Sequence, residues 1–306
     1  MASQLRTAIL VAARSGTVAS FMREYGMRLG ASRFVAGETL DTAVAAVRRL
    51  NEKGLAASVT LLGEYVSDQA HVERVVAEHE AIMRRLGHER LNANIGFKLT
   101  NVGLSINEAL ALENSDRLAR LGESLSMGIR IDMEESFTVD ATLRVYRALL
   151  SRGHRDVELA LQSYLRRTEA DLRALLPLHP KVRLVKGAYL ETPDVAFPDK
   201  RDVDAAYLRL LELALGREAY VCVATHDDRL IDRALALALE RAVPPTGFEF
   251  QMLYGIRQQR QVELARAGHR VLISVSFGPE WYPYLMRRLA ERPANLFFFI
   301  GNYFRR

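Results

Sequence analysis

Eight short apolar runs, separated by amphipathic stretches of similar length, constrain this 306-residue chain more than any other feature. They fall at 58–63, 96–101, 127–133, 157–162, 182–187, 220–226, 248–253 and 270–278. Runs this compact and β-rich suit strands buried on both faces. Between them apolar residues recur at helical spacing, as at 71–86, 106–121, 138–150, 201–215 and 229–242. The connections leave no room for an antiparallel meander, so the strands are expected to be parallel. Eight strand–helix units predict an α/β fold of the (β/α)8, TIM-like barrel type, which takes roughly 250 residues. An open doubly wound sheet is the alternative. Its glycine fingerprint is missing after the first run, where Leu62, Gly63, Glu64 and Tyr65 stand. The first 55 residues read as helices only. One stripe runs through Ala8, Ile9, Val11 and Ala12, a second through Val18, Phe21, Met22, Tyr25 and Leu29, and a third through Val44, Val47 and Leu50 to a stop at Gly54. The expected organisation is a helical arm over 1–55 and a barrel over 56–306.

Charge narrows the class of partner. Lys and Arg number 42 against 37 Asp and Glu, a net +5 spread along the chain, so nucleic acid is not implied. The single cysteine, Cys222, rules out an intramolecular disulfide and points to a reducing, cytoplasmic setting. The apolar run 9–13, between Arg6 and Arg14, is too short for a cleaved signal. The longest aromatic run, 296–300, is far below the roughly 20 residues of a spanning helix. A soluble protein able to touch a membrane surface is expected.

In a barrel of this kind functional side chains gather where strands end and loops begin. Glu64, Lys98, Asp132, Gln162, Arg183 with Lys186, Thr225 with His226, and Gln251 occupy those positions. One such group alone is as readily a structural ion pair, but seven strands delivering polar groups to one mouth point to a site. A second constellation lies on the helix expected before Pro293, where Tyr284, Arg287, Arg288 and Glu291 share one face. Two guanidinium forks beside a ring suit a small carboxylate, with Glu291 orienting one of them. A solvated face with one ion pair would carry the same residues. No metal site is expected. His71 and His79 lack a partner at ligand spacing, His226 stands beside no cysteine or second histidine, and Cys222 reads as a packed thiol. Nucleophile elbow, P-loop and GxGxxG motifs are all missing.

LGE at 62–64, GFKL at 96–99, IDMEE at 131–135, VRLVKGAY at 182–189, ATHD at 224–227, FEFQML at 248–253 and YLMRRLAE at 284–291 form seven ordered blocks. Together they resemble the signatures of the proline dehydrogenase family. The likeness runs from about residue 55 to the C-terminus, and the preceding helices match only in kind, as the arm of monofunctional bacterial members. The resemblance implies a distorted (β/α)8 barrel holding FAD without a covalent bond. It implies oxidation of L-proline to 1-pyrroline-5-carboxylate by hydride transfer to the flavin, with electrons passed to a membrane quinone. That would place the protein in the cytoplasm, at the inner face of the cell membrane while it reduces quinone. By family pattern Met133, Gln162, Arg183, Lys186, Gly187, Ala188, Thr225, His226 and Gln251 fall on cofactor positions. Lys98, Arg287 and Arg288 fall on the substrate carboxylate, and Tyr189, Leu253 and Tyr284 on the rest of the pocket. Asp132 and Arg183 are the residues expected nearest the chemistry. Glu64 matches a gate residue that pairs with the first helix arginine.

One departure bears on the substrate. The family pattern has a tyrosine four residues ahead of a glycine before the final helix, and here Ser274 stands four residues ahead of Gly278. A serine removes an aromatic wall and offers a hydroxyl, so 4-hydroxyproline or another substituted proline is an alternative substrate. Two further readings remain at this point. A flavin barrel of the methylenetetrahydrofolate reductase type has no use for the paired arginines, and a flavin-free barrel would act as a binding module.

Overall fold

The strands β1 (Ala56–Leu61), β2 (Ala93–Lys98), β3 (Ile129–Asp132), β4 (Val157–Gln162), β5 (Lys181–Val185), β6 (Tyr220–Ala224), β7 (Phe248–Leu253) and β8 (Arg270–Phe277) follow the eight apolar runs. All pair in parallel in chain order, and β8 returns to β1 to close the barrel. This computed structural model describes residues 15–63, Val66 and 68–291. The stripe at Ala8–Ala12, the gate residue Glu64 and everything beyond Glu291 lie outside the described residues. β1 and β2 begin two and three residues earlier than their apolar runs, at Ala56 and Ala93. Asn94 is nonetheless held in the sheet, where its side chain accepts from the Gly128 amide at 3.0 Å.

Ten helices are described: α1 (Gly16–Leu29), α2 (Leu40–Asn51), α3 (Gln69–His88), α4 (Glu108–Ser124), α5 (Val139–Ser151), α6 (Thr168–Leu175), α7 (Lys200–Ala214), α8 (Asp228–Glu240), α9 (Gln258–Arg266) and α10 (Trp281–Glu291). Their starts follow capping chemistry. Thr39 closes a capping box with Thr42, and the side chains of Asp68, Asn107, Asp199 and Asp227 accept from amides of the first turns of α3, α4, α7 and α8.

The two faces of the sheet differ in kind. Val59, Ile95, Phe97, Ile129, Ile131, Leu159, Val182, Leu184, Val221, Val223, Phe248, Phe250, Ile273 and Val275 are buried in one continuous apolar core with the helices. The alternate residues turn into the lumen, and many of them are polar or charged. Arg130 of β3 reaches Glu249 of β7, and Gln251 of β7 reaches Glu158 of β4, across strands that are not neighbours. Those contacts are possible only through the barrel interior. The strands are therefore buried on both faces, as expected, but only the outer of those faces is uniformly apolar. The apolar run reflects the outer face, and the inner face is sealed by paired charges instead.

The closure between β8 and β1 is also distinctive. α2 packs there through Ala43, Val44, Ala46, Val47 and Leu50, taking the outer-ring place that the helix after β8 would ordinarily fill. The last described helix, α10, is freed from that duty. It joins α1 in a separate small core of Ala31, Val35, Trp281, Tyr282, Leu285 and Met286, with Leu62 at the end of β1 packed against it. The barrel is distorted by this exchange, and α10 is brought to the mouth beside the C-terminal end of β1.

Candidate active site

The inward alternation of β2, β3 and β5 builds the centre of the mouth. Lys98 and Asp132 are register partners on adjacent strands, and Asp132 accepts a charge-assisted bond from Arg183. The loop after β5 folds back so that the Tyr189 ring lies 5.9 Å from the Lys98 ammonium, a cation–π contact. That loop is tied to the loop after β3 by Glu191, which accepts from the Ser136 amide and hydroxyl, both at 2.7 Å. Four of the expected residues thus meet in one cluster.

The neighbouring positions line the rest of the rim. Gln162 ends β4 with its amide nitrogen donating to the Met133 and Glu134 carbonyls at 2.9 and 3.1 Å, while its Oε1 is buried without a hydrogen-bond partner. Lys186 reaches Asp204 at 2.5 Å and Asp227 at 3.2 Å. Burial opposes ionisation of both carboxyls, but Lys186, with Lys200 at Asp204 and Arg229 at Asp227, draws them below their ordinary range. Gly187 has φ +110°, and a Cβ there would lie 2.2 Å from the Tyr164 ring, so no other residue fits. Thr225 and His226 follow β6, and the His226 Nε2 accepts from the Leu253 amide at 2.9 Å. An acceptor at Nε2 puts the proton of a neutral ring on Nδ1. Leu253 ends β7 and is the register partner of Ser274, three residues before the end of β8, and Ser58 flanks Ser274 on the other side.

Two expected residues sit deeper than the rim. Arg183 lies two residues before the end of β5, and its Nε approaches Glu158 at 3.5 Å. Gln251 lies two residues before the end of β7, and its amide nitrogen donates to Glu158 at 2.8 Å and Glu249 at 2.6 Å. It is therefore part of a floor network, with Arg130 bonded to Glu158 and 3.5 Å from Glu249. Arg130, Glu158 and Glu249 are 1%, 1% and 0% exposed, which makes this the most completely desolvated charge cluster described. Cys222 belongs to it. Its Sγ donates to Glu158 at 3.1 Å, and burial pushes the thiol well above its usual range, so it stays protonated. The sequence signal for the floor was the period-two placement of Arg130 before Asp132, Glu158 before Gln162 and Glu249 before Gln251. Glu134 is a further buried carboxyl that composition alone did not single out. It accepts from the Thr100 amide and hydroxyl at 3.1 and 2.6 Å, and burial raises its pKa.

On α10 the Arg288 guanidinium lies 5.5 Å from the Tyr284 ring. The side chains of Arg287 and Glu291, like Glu64, lie outside what is described, so the expected pairing among them is not visible.

The rim offers what a flavin nucleotide requires: a buried acceptor without a partner, a position where only glycine permits close approach, and cations at the strand ends. Lys186, Gly187 and Gln162 fit that group on these observations.

The chain's similarity to known proteins follows the same outline. The family model described as "Proline dehydrogenase" matches residues 43–299. Proline dehydrogenase 1 of Bacillus subtilis (strain 168) is 41% identical over 294 residues, covering 96% of this chain and 97% of that one. Proline dehydrogenase of Deinococcus radiodurans is 38% identical, covering 96% of each. Among solved structures, proline utilization A from Bdellovibrio bacteriovorus, inactivated by N-propargylglycine, superposes with a TM-score of 0.82 at 21% identity over 90% of this chain. The protein from Bradyrhizobium japonicum superposes with a TM-score of 0.72 at 23% identity. This chain spans about a third of those longer chains, 34% and 32%, and the likeness to them is one of fold.

Proposed function

This chain belongs to the proline dehydrogenase family, and from that membership we propose that it oxidises L-proline to 1-pyrroline-5-carboxylate with FAD. The observation that carries the reading is the cluster of Lys98, Asp132, Arg183 and Tyr189 at the C-terminal mouth of a barrel whose rim fits a flavin. When bound, FAD supplies a two-electron acceptor for the hydride lost from the carbon next to the ring nitrogen. Gln162, Lys186, Gly187, Ala188, Thr225, His226 and Met133 hold the cofactor.

Lys98, Arg287 and Arg288 take the substrate carboxylate, and a fixed carboxylate aims the reacting carbon. Asp132 balances the Lys98 and Arg183 charges so that neither cation is desolvated unpaired when substrate enters. Arg183 stabilises negative charge that accumulates above it. Tyr189, Leu253 and Tyr284 supply the apolar wall, which excludes water from the site. Glu64 and Glu291 are proposed to pair with the helix arginines and close the site over the substrate.

A second substrate reading is favoured by Ser274. It stands beside Leu253 on the lumen face, and a small hydroxyl there leaves room for a substituent on the ring. 4-Hydroxyproline is then oxidised as well. A membrane quinone is the proposed electron acceptor, met at the inner face of the cell membrane. Exposed Phe137 and Leu190 on the tied loops, 78% and 85% exposed, support an apolar group reaching the mouth. No described helix is long and apolar enough to cross a membrane.

The test is the spectrum of the purified protein, followed by anaerobic bleaching with L-proline and with 4-hydroxyproline. A yellow protein bleached by either amino acid is expected. A colourless preparation that takes up no added FAD would defeat the reading.

A further inference from the structure

Glu158 has no part in the reading above, yet it meets side chains of four other strands in the lumen. Its Oε2 accepts from Arg130 on β3, from Gln251 Nε2 on β7 at 2.8 Å and from Cys222 Sγ on β6 at 3.1 Å. Its Oε1 faces the Arg183 Nε on β5 at 3.5 Å and accepts no hydrogen bond. One oxygen is therefore clamped by three strands, and the other is presented to the arginine beneath the mouth.

We propose that Glu158 is a positioning residue for Arg183, fixing the guanidinium from below while Asp132 holds it from the rim. A planar guanidinium anchored at Nη2 alone can still swing about that bond, and a second contact at Nε sets its plane. Asp132 cannot serve both purposes, because it also borders Lys98 and the open mouth. Glu158 can, because its own freedom is removed by Arg130, Gln251 and Cys222. Glu249 is the natural contrast. It carries the same charge in the same floor, is equally buried and also meets Arg130, Gln251 and Cys222, but its further partner is Arg270 rather than Arg183.

The inference rests on the proposed binding of FAD above Arg183, and the experiment separates the two. The flavin midpoint potential is measured in the wild type, Glu158→Gln and Glu249→Gln, with FAD dissociation constants and thermal unfolding alongside. Removing a carboxylate beside Arg183 makes its surroundings more positive and favours the reduced, more negative flavin. The expected result for Glu158→Gln is a more positive potential by about tenfold in the reduction equilibrium, about 30 mV for a two-electron couple. For Glu249→Gln a change below about threefold is expected. Equal shifts in the two variants would mean that only net charge matters, and an unshifted Glu158→Gln would remove the role altogether. Either result overturns the inference while leaving FAD binding intact. A wild type that binds no FAD overturns both readings. Should Glu158→Gln not fold, Glu158→Asp keeps the charge but draws the oxygen away from Nε. It should then shift the equilibrium by about threefold, and no shift would count against the positioning role.

Discussion

The floor and the rim of the barrel hold the same kinds of residue under different conditions. Arg130, Glu158 and Glu249 on the floor have no access to water. At the rim the Asp132 and Lys186 side chains keep 30% and 27% of theirs, and Arg183 just below keeps 16%. A charge wholly removed from water must be paired or it destabilises the fold strongly. A charge at the rim can exchange a protein partner for a ligand at little cost. Apart from Glu158, which also meets Arg183, the floor is accordingly where substitutions should act on folding, and the rim is where they should act on chemistry. Even so, the Nε and Nη2 of Arg130 have no hydrogen-bond partner, so the floor is only partly satisfied.

The sharpest way to break this contrast is Arg130→Met. It leaves Glu158 and Glu249 buried without their shared cation, and a loss of about 3–5 kcal/mol of stability is expected in denaturant titrations. Combining it with Glu158→Leu and Glu249→Leu should restore much of that loss, because an apolar lumen has no charge to desolvate. A single variant as stable as the wild type would mean that water reaches the floor.

The rim should behave the other way. Arg287→Met and Arg288→Met are each expected to raise KM for the amino acid, with about 2–5 kcal/mol lost in substrate binding and unfolding little changed. A solvated helix face would lose under about 0.5 kcal/mol, so steady-state kinetics distinguishes the carboxylate clamp from that reading.

Ser274→Tyr is a smaller perturbation on the lumen wall. Tyrosine should exclude a 4-substituent while packing on the unsubstituted ring. The ratio of kcat/KM for proline over 4-hydroxyproline should therefore rise by about 1–3 kcal/mol in free-energy terms. An equal effect on both substrates would show that Ser274 does not face the ring.

The smallest effect is expected at the opposite end of the barrel. Burial disfavours the charged His154 ring, but hydrogen bonds to Glu123 at 2.6 Å and Asp116 at 3.0 Å outweigh it and raise the pKa. A raised folded-state pKa gives stability that is fully present below the unfolded value near 6.5 and is lost as pH rises through the folded value. His154→Gln should remove a pH-dependent contribution of about 1 kcal/mol or less. Its pH–activity profile should match the wild type, because His154 precedes β4 at the end away from the mouth. A changed activity profile would show that the two ends are coupled.

Much of this was legible in the chain. The outer face of each strand is a property of local composition, so Val157 to Gln162 and Phe248 to Leu253 form strands with the bounds their apolar runs predict. The polar residues of the mouth were legible from position alone, because parallel strands of one barrel must end on the same side. Arg130, Glu158 and Glu249 were written in the sequence with equal clarity, but as single charges inside apolar runs. Nothing local says that two neighbouring strands and a third across the lumen turn those charges toward one another.

What the sequence determined by itself was the number of strand–helix units, their order and direction, and the residue types carried to the mouth. Each of these follows from periodicity within a window of a few residues and from the chirality of the connections. The tertiary structure decided the rest: that α2 rather than α10 covers β8 and β1, that Arg183 stands between Asp132 and Glu158, and that Gln251 belongs to the floor. These outcomes depend on barrel closure, which sets the stagger of one strand against the next and so the level at which each inward side chain meets its partners across the lumen.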